Sequence, residues 1–99
     1  MREFLIKCLD DDWSLPYERW LEVFHPNSLT FKRLPGNQYR IEVMKVPIYF
    51  AHEPPGIYLC VEGKLPDIIM SQIVNEVLSN LQQVTGQEGE IIDQSSIIP

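Results

Sequence analysis

No stretch of this chain stays apolar for more than a few residues, far short of the roughly 20 that carry a helix across a bilayer, so no membrane contact is expected. The N-terminus lacks an extended apolar segment of the kind secretory signals use and meets Asp10, Asp11 and Asp12 at once, which points to a cytoplasmic protein. Cations run out halfway. Residues 1–50 set seven basic side chains against seven acidic ones, whereas residues 51–99 set Lys64 alone against Glu53, Glu62, Asp67, Glu76, Glu88, Glu90 and Asp93. The formal charge of −6 therefore arises entirely in the second half. Nucleic-acid binding rests on phosphates neutralised by Lys and Arg, so a nucleic-acid partner is not expected. An acidic surface steers basic partners, and it also keeps a small protein in solution.

Chemistry-bearing motifs are equally scarce. There is no glycine-rich phosphate loop, nucleophile elbow or CxxC pair. His52-Glu53 opens like the zinc-protease signature, but no histidine stands four residues later, and Pro54-Pro55 forbids the helix that signature needs. His25 and His52 share no element with another ligand at metal spacing, and Asp10–Asp12 lacks the alternate oxygens, glycine and distal glutamate of a calcium loop. Cys8 and Cys60 read as free thiols behaving as small hydrophobes. No metal, cofactor or catalytic residue is expected.

What the chain does contain is periodicity. In Pro66–Gly86, Met70, Val74, Val77, Leu81 and Val84 recur at helical spacing, and Ile69, Ile73 and Leu78 widen the stripe into a face broad enough to lie on a sheet. Ser71, Gln72, Asn75, Glu76, Ser79, Asn80, Gln82 and Gln83 make the opposite, polar face, and Gly86 suits the helix end. Residues 2–9 alternate with Phe4, Ile6 and Cys8 on one side, as a strand does. Ser14 and Pro16 open a short helix over 15–24 carrying Tyr17, Trp20, Leu21 and Phe24, which His25-Pro26 closes.

The next element is a hairpin over 28–34 and 38–43. A three-residue Pro35-Gly36-Asn37 loop, with Asn37 left-handed, pairs Phe31 with Ile41 and Leu29 with Val43, at the cost of placing Lys32 opposite Arg40. The phase then slips between Val43 and Met44, for which a bulge near Lys45 is the natural cause, and Pro47 suggests a bulge or sheet edge. Residues 46–51 are apolar on both faces, 57–62 form another strand, and Ile91-Ile92 adds a short edge strand. The expected fold is α+β: an antiparallel sheet of four or five strands with the long helix on one face and the short N-terminal helix beside it. The element order suggests a ferredoxin-like plan with an extra strand, an analogy that carries no function. Residues 1–93 form the single domain and 94–99 a flexible tail.

The sharpest functional pattern is an acidic lobe with aromatics in it. Asp10, Asp11, Asp12, Trp13 and Tyr17 are the partner-binding candidates, because Trp and Tyr anchor protein interfaces and carboxylates steer a basic partner. A packing role is the stronger reading for Trp20 and an even one for Trp13. The leading expectation is a non-enzymatic protein-binding domain, such as an inhibitor or immunity-type protein that masks a basic toxin. The alternative is a small-molecule-binding or enzymatic domain with a pocket between helix and sheet or at a dimer interface. A homodimer through 46–51 is the third arrangement.

Overall fold

Phe4, Ile6 and Cys8 of β1 (Arg2–Cys8) turn inward in the computed structural model of the chain, which describes residues 1–36 and 39–96. Around β1 the described residues form one antiparallel sheet with β2 (Lys32–Arg33), β3 (Arg40–Val43), β4 (Val46–Glu53), β5 (Gly56–Val61) and β6 (Gly89–Asp93), in the order β2-β3-β4-β5-β1-β6. There are thus six strands, not four or five. The fold is α+β as expected. The long helix α1 (Asp67–Thr85) crosses from β5 to β6. Both of those strands run antiparallel to β1, which lies between them, so β5-α1-β6 is a split β-α-β unit.

The helix packs as its periodicity requires. Met70, Ile73, Val74, Val77 and Leu81 are buried against the inner sheet face of Phe4, Ile6, Ile41, Ile48, Phe50, Leu59 and Val61. Gly86 closes α1 in the left-handed region at φ 73° and donates its N–H to Gln82 O (2.9 Å). The polar side departs from the expected free surface. Asn80 is buried, and Glu76 holds the 27–28 loop by accepting the backbone N–H groups of Asn27 and Ser28 (2.8 Å to Ser28) and the Ser28 hydroxyl. These donors, the Ser28 hydroxyl first, hold the Glu76 carboxyl below its ordinary range. A lowered carboxyl adds stability above its unfolded pKa and loses it as pH falls through the folded value. Glu76→Gln is expected to cost about 1 kcal/mol at neutral pH. In urea titrations that difference should begin to shrink as pH falls below the ordinary glutamate value of about 4.3 and should close only below the lowered folded value, where both side chains are neutral.

Three local expectations are corrected. The short helix is a 3-10 helix over Tyr17–Glu22, entered from Pro16 without a side-chain cap, so Ser14 is not its cap. The β2–β3 register is Lys32 opposite Glu42 and Arg33 opposite Ile41, and Leu34 N–H donates to Arg40 O (3.0 Å) across a longer loop. That register replaces the Lys32–Arg40 clash with a Lys32–Glu42 ion pair of 3.6 Å. Phe31 leaves the ladder to stack on His25 with ring centres 5.1 Å apart. Gly36 takes the left-handed conformation (φ 85°), and the expectation for Asn37 lies outside the described residues. Finally, no bulge resets the phase at Lys45. Met44 and Lys45 are themselves the turn, at φ 51° and 65°, and Val43 pairs with Val46 across it. β4 is consequently interior: its backbone edges are both occupied, and a dimer through 46–51 has only its outer face to use.

Beyond β6, Gln94–Ser96 make a 3-10 turn, and Ser95 Oγ accepts the Glu3 N–H (2.7 Å). Residues 97–99 lie outside the described set. No helix among the described residues is long and apolar enough to cross a membrane.

Candidate protein-binding surface

β1 runs out at Cys8, and the strands on either side of it shape the turn beyond. Cys8 N–H donates to Pro55 O (3.2 Å) and Leu9 N–H to Glu88 O (2.9 Å). These two bonds bring three distant segments to one end of the sheet: Asp10–Asp12, the Glu53-Pro54-Pro55 turn with its cis Pro54-Pro55 bond, and Glu88 at the entry to β6. Asp10, Asp11, Glu53 and Glu88 are exposed there, around Leu9, which is 52% exposed although apolar.

Asp12 fastens the turn. Its Oδ1 accepts the Trp13 N–H (2.9 Å), its Oδ2 lies 2.6 Å from His52 Nε2, and its carbonyl accepts Gln87 Nε2 (3.0 Å). Gln87 Oε1 in turn accepts Ser14 N–H (2.7 Å). Trp13 is buried, with Nε1 donating to Ile6 O (2.9 Å) and its ring lying over Gly89. It pins the acidic turn to β1 and does not present its ring. Tyr17 is 66% exposed, with its ring centre 4.4 Å from that of the buried Trp20. Trp20 also meets Phe24, Tyr39 and His52 within 5.5 Å, so it belongs to the core.

The two ends of the sheet differ electrostatically. At the far end most carboxylates are paired: Asp67 and Asp93 share Arg2 (3.2 and 2.6 Å), Glu62 pairs with Arg40 and Glu42 with Lys32, and Glu3 accepts the Tyr58 hydroxyl (2.6 Å). At the near end, among the described residues, Asp10, Asp11, Glu53 and Glu88 make no ion pair. The C-terminus of α1 points its negative dipole end to the same region, with no basic residue in its last turn. Lys7, opposite Glu90 across the β1–β6 pair, is the cation nearest by register.

Of the predicted residues, Asp10, Asp11 and Tyr17 are presented to solvent, while Asp12 and Trp13 are structural. Sequence reasoning misses Leu9, Glu53 and Glu88. Their convergence depends on which strands neighbour β1, and no local pattern encodes that. Among the described residues, no group of three or more His, Cys, Asp or Glu is placed to hold a metal ion. A groove of about 310 Å³ runs where α1 meets β1 and β6, but its guanidinium, Arg2, is engaged by Asp67 and Asp93 (2.6 Å). No protein-family model matches the chain, and no curated protein or solved structure matches it.

Proposed function

We propose that this chain is a non-enzymatic protein-binding domain of the inhibitor or immunity type, which takes a basic protein at the acidic end of its sheet. The observation that carries this reading is the segregation of charge. Carboxylates from three separate segments stand without ion pairs around the exposed Leu9, while Asp67, Asp93, Glu62 and Glu42 at the other end are paired with Arg2, Arg40 and Lys32. Uncompensated like charges cost the folded state some self-repulsion, which a cationic partner would relieve while being drawn in. Leu9 and the Pro54-Pro55 turn supply an apolar centre for such a rim, and Tyr17 an aromatic anchor to one side.

The test is affinity capture from the native host by the wild-type chain and by a chain carrying Asp10→Lys, Asp11→Lys, Glu53→Lys and Glu88→Lys. The wild type should retain a basic protein that is released by salt, and charge reversal should weaken that partner's affinity by tenfold or more. A retained partner that is acidic, or one held equally by both chains, refutes the reading.

A further inference from the structure

The outer face of the sheet is a second surface, independent of the acidic end. Helix α1 and the 3-10 helix both pack on the inner face, and no element of the described residues crosses the outer one. The strand registers arrange its side chains in rows. One row reads Arg40, Tyr49, Cys60, Glu3 across β3, β4, β5 and β1. The next reads Ala51, Tyr58, Leu5, Ile92 across β4, β5, β1 and β6. Over the first row lies an open depression of about 410 Å³, lined by its Arg40, Tyr49 and Cys60 together with Tyr58, Glu62 and Met1.

We infer that this face docks a second copy of the chain, sheet against sheet, about a two-fold axis that runs along the strands through the β4–β5 seam. That operation reverses each row onto itself. In the first row Arg40 then faces the partner copy's Glu3, and Tyr49 faces the partner copy's Cys60. In the second row Tyr58 faces the partner copy's Ala51. Every large side chain on the seam meets a small one, and opposite charges meet at both flanks. Packed sheets lie about 10 Å apart, a gap that a tyrosine opposite a cysteine or alanine fills. The offset of about 30° usual for aligned sheets shifts groups one and a half strands from the axis by only a few Å, within reach of an arginine. The charge pattern also favours this occupant over a strongly basic one. The face carries Lys7, Lys32 and Arg40 among Glu3, Glu42, Glu53, Glu62 and Glu90, a mixed set suited to itself.

Six strands spaced about 4.8 Å apart, averaging about five residues each, give on the order of 500 Å² per copy in projection, at the lower end for a specific interface. A concentration-dependent dimer is therefore expected. Sedimentation equilibrium of the wild-type chain from about 1 µM to about 500 µM should show the mass doubling within that range. Ala51→Arg, which changes no ion pair and points outward, should give a monomer throughout with unchanged circular dichroism. Arg40→Glu alone and Glu3→Arg alone should each weaken dimerisation by tenfold or more, and an equimolar mixture of the two should restore it, because each contact of the mixed pair joins opposite charges. A chain that loses Arg40 or Glu3 also loses a contact of its own, to Glu62 or to the Tyr58 hydroxyl, so each variant is first checked for a wild-type melting transition. A monomer at all concentrations, or a dimer indifferent to Ala51→Arg, or a mixture no stronger than its separate components, overturns the inference.

Discussion

Gly56→Ala is expected to destabilise the protein by about 3 kcal/mol or more. An ideal Cβ on Gly56 lies 2.4 Å from Ile6 O, 2.9 Å from Ile6 C and 2.9 Å from Lys7 Cα. All three are backbone atoms of β1, so no side chain can turn aside to make room. β1 is itself held on both edges, by β5 and β6, and the Ile6 carbonyl also receives the Trp13 indole N–H at 2.9 Å. Relief would have to move β1 and with it the anchor of the acidic turn. Gly86 is the internal control: a Cβ there meets nothing within 4 Å, and alanine costs only the positive φ, about 1 kcal/mol. Urea midpoints for the two variants should differ severalfold in their displacement from wild type, and equal displacements would contradict the close approach of β5 to β1.

The legible part of the fold is the part written in periodicity. Alternation marks β1, and the three-four spacing of Met70 to Leu81 marks α1, because both signals arise directly from burying one face. Turns are legible only where their residues are the usual ones. Met44-Lys45 adopts two positive φ values with neither glycine nor asparagine, so the shift of phase there reads as a bulge within one strand. The β2–β3 register fails for a different reason. Apolar matching favours Phe31 opposite Ile41, but the ion pair of Lys32 with Glu42 and the stacking of Phe31 on His25 act together against it, and neither is local.

The acidic end is half legible for the same reason. Asp10 to Asp12 and Tyr17 are neighbours in sequence, and the exposure of Asp10 and Asp11 comes from polarity at a strand end. Glu53 and Glu88 join them only because the β4–β5 turn and the entry to β6 meet the end of β1 at the same level, a fact of topology. Trp13 misleads in the opposite direction. Its three aspartate neighbours suggest solvent, yet an indole has a large apolar body and one donor, and the Ile6 carbonyl beside Gly89 offers both a partner and a space for it. The acids thus stand on a rigid support, which lessens the ordering cost of binding at this end.

Asn80 is the least expected feature of α1 and the second large determinant of stability. Its Nδ2 donates to Val23 O (3.3 Å) and His25 O (3.1 Å), and its Oδ1 accepts Asn27 Nδ2 (2.7 Å). One buried amide thus ties together the end of the 3-10 segment and the loop after it, supplementing the His25 N–H at Val23 O and serving His25 O directly. Asn80→Leu fills similar volume but takes the Asn80 donor from His25 O, leaves Val23 O with the His25 N–H alone (2.9 Å) and releases the exposed Asn27 amide to solvent, and a loss of about 2 kcal/mol is expected. Asn80→Asp should cost at least as much at neutral pH, because a buried carboxylate then faces two carbonyl oxygens. Its deficit should shrink as pH falls, when the protonated acid can donate one bond again, and Asn80→Leu should show no such trend. The damage should be local first. Hydrogen exchange should quicken over residues 17–28, where Trp20 and Phe24 are clamped, before it quickens in β1 or β5. Exchange that rises uniformly across the sheet instead would mean that Asn80 serves the core as a whole and not the loop that carries Tyr17.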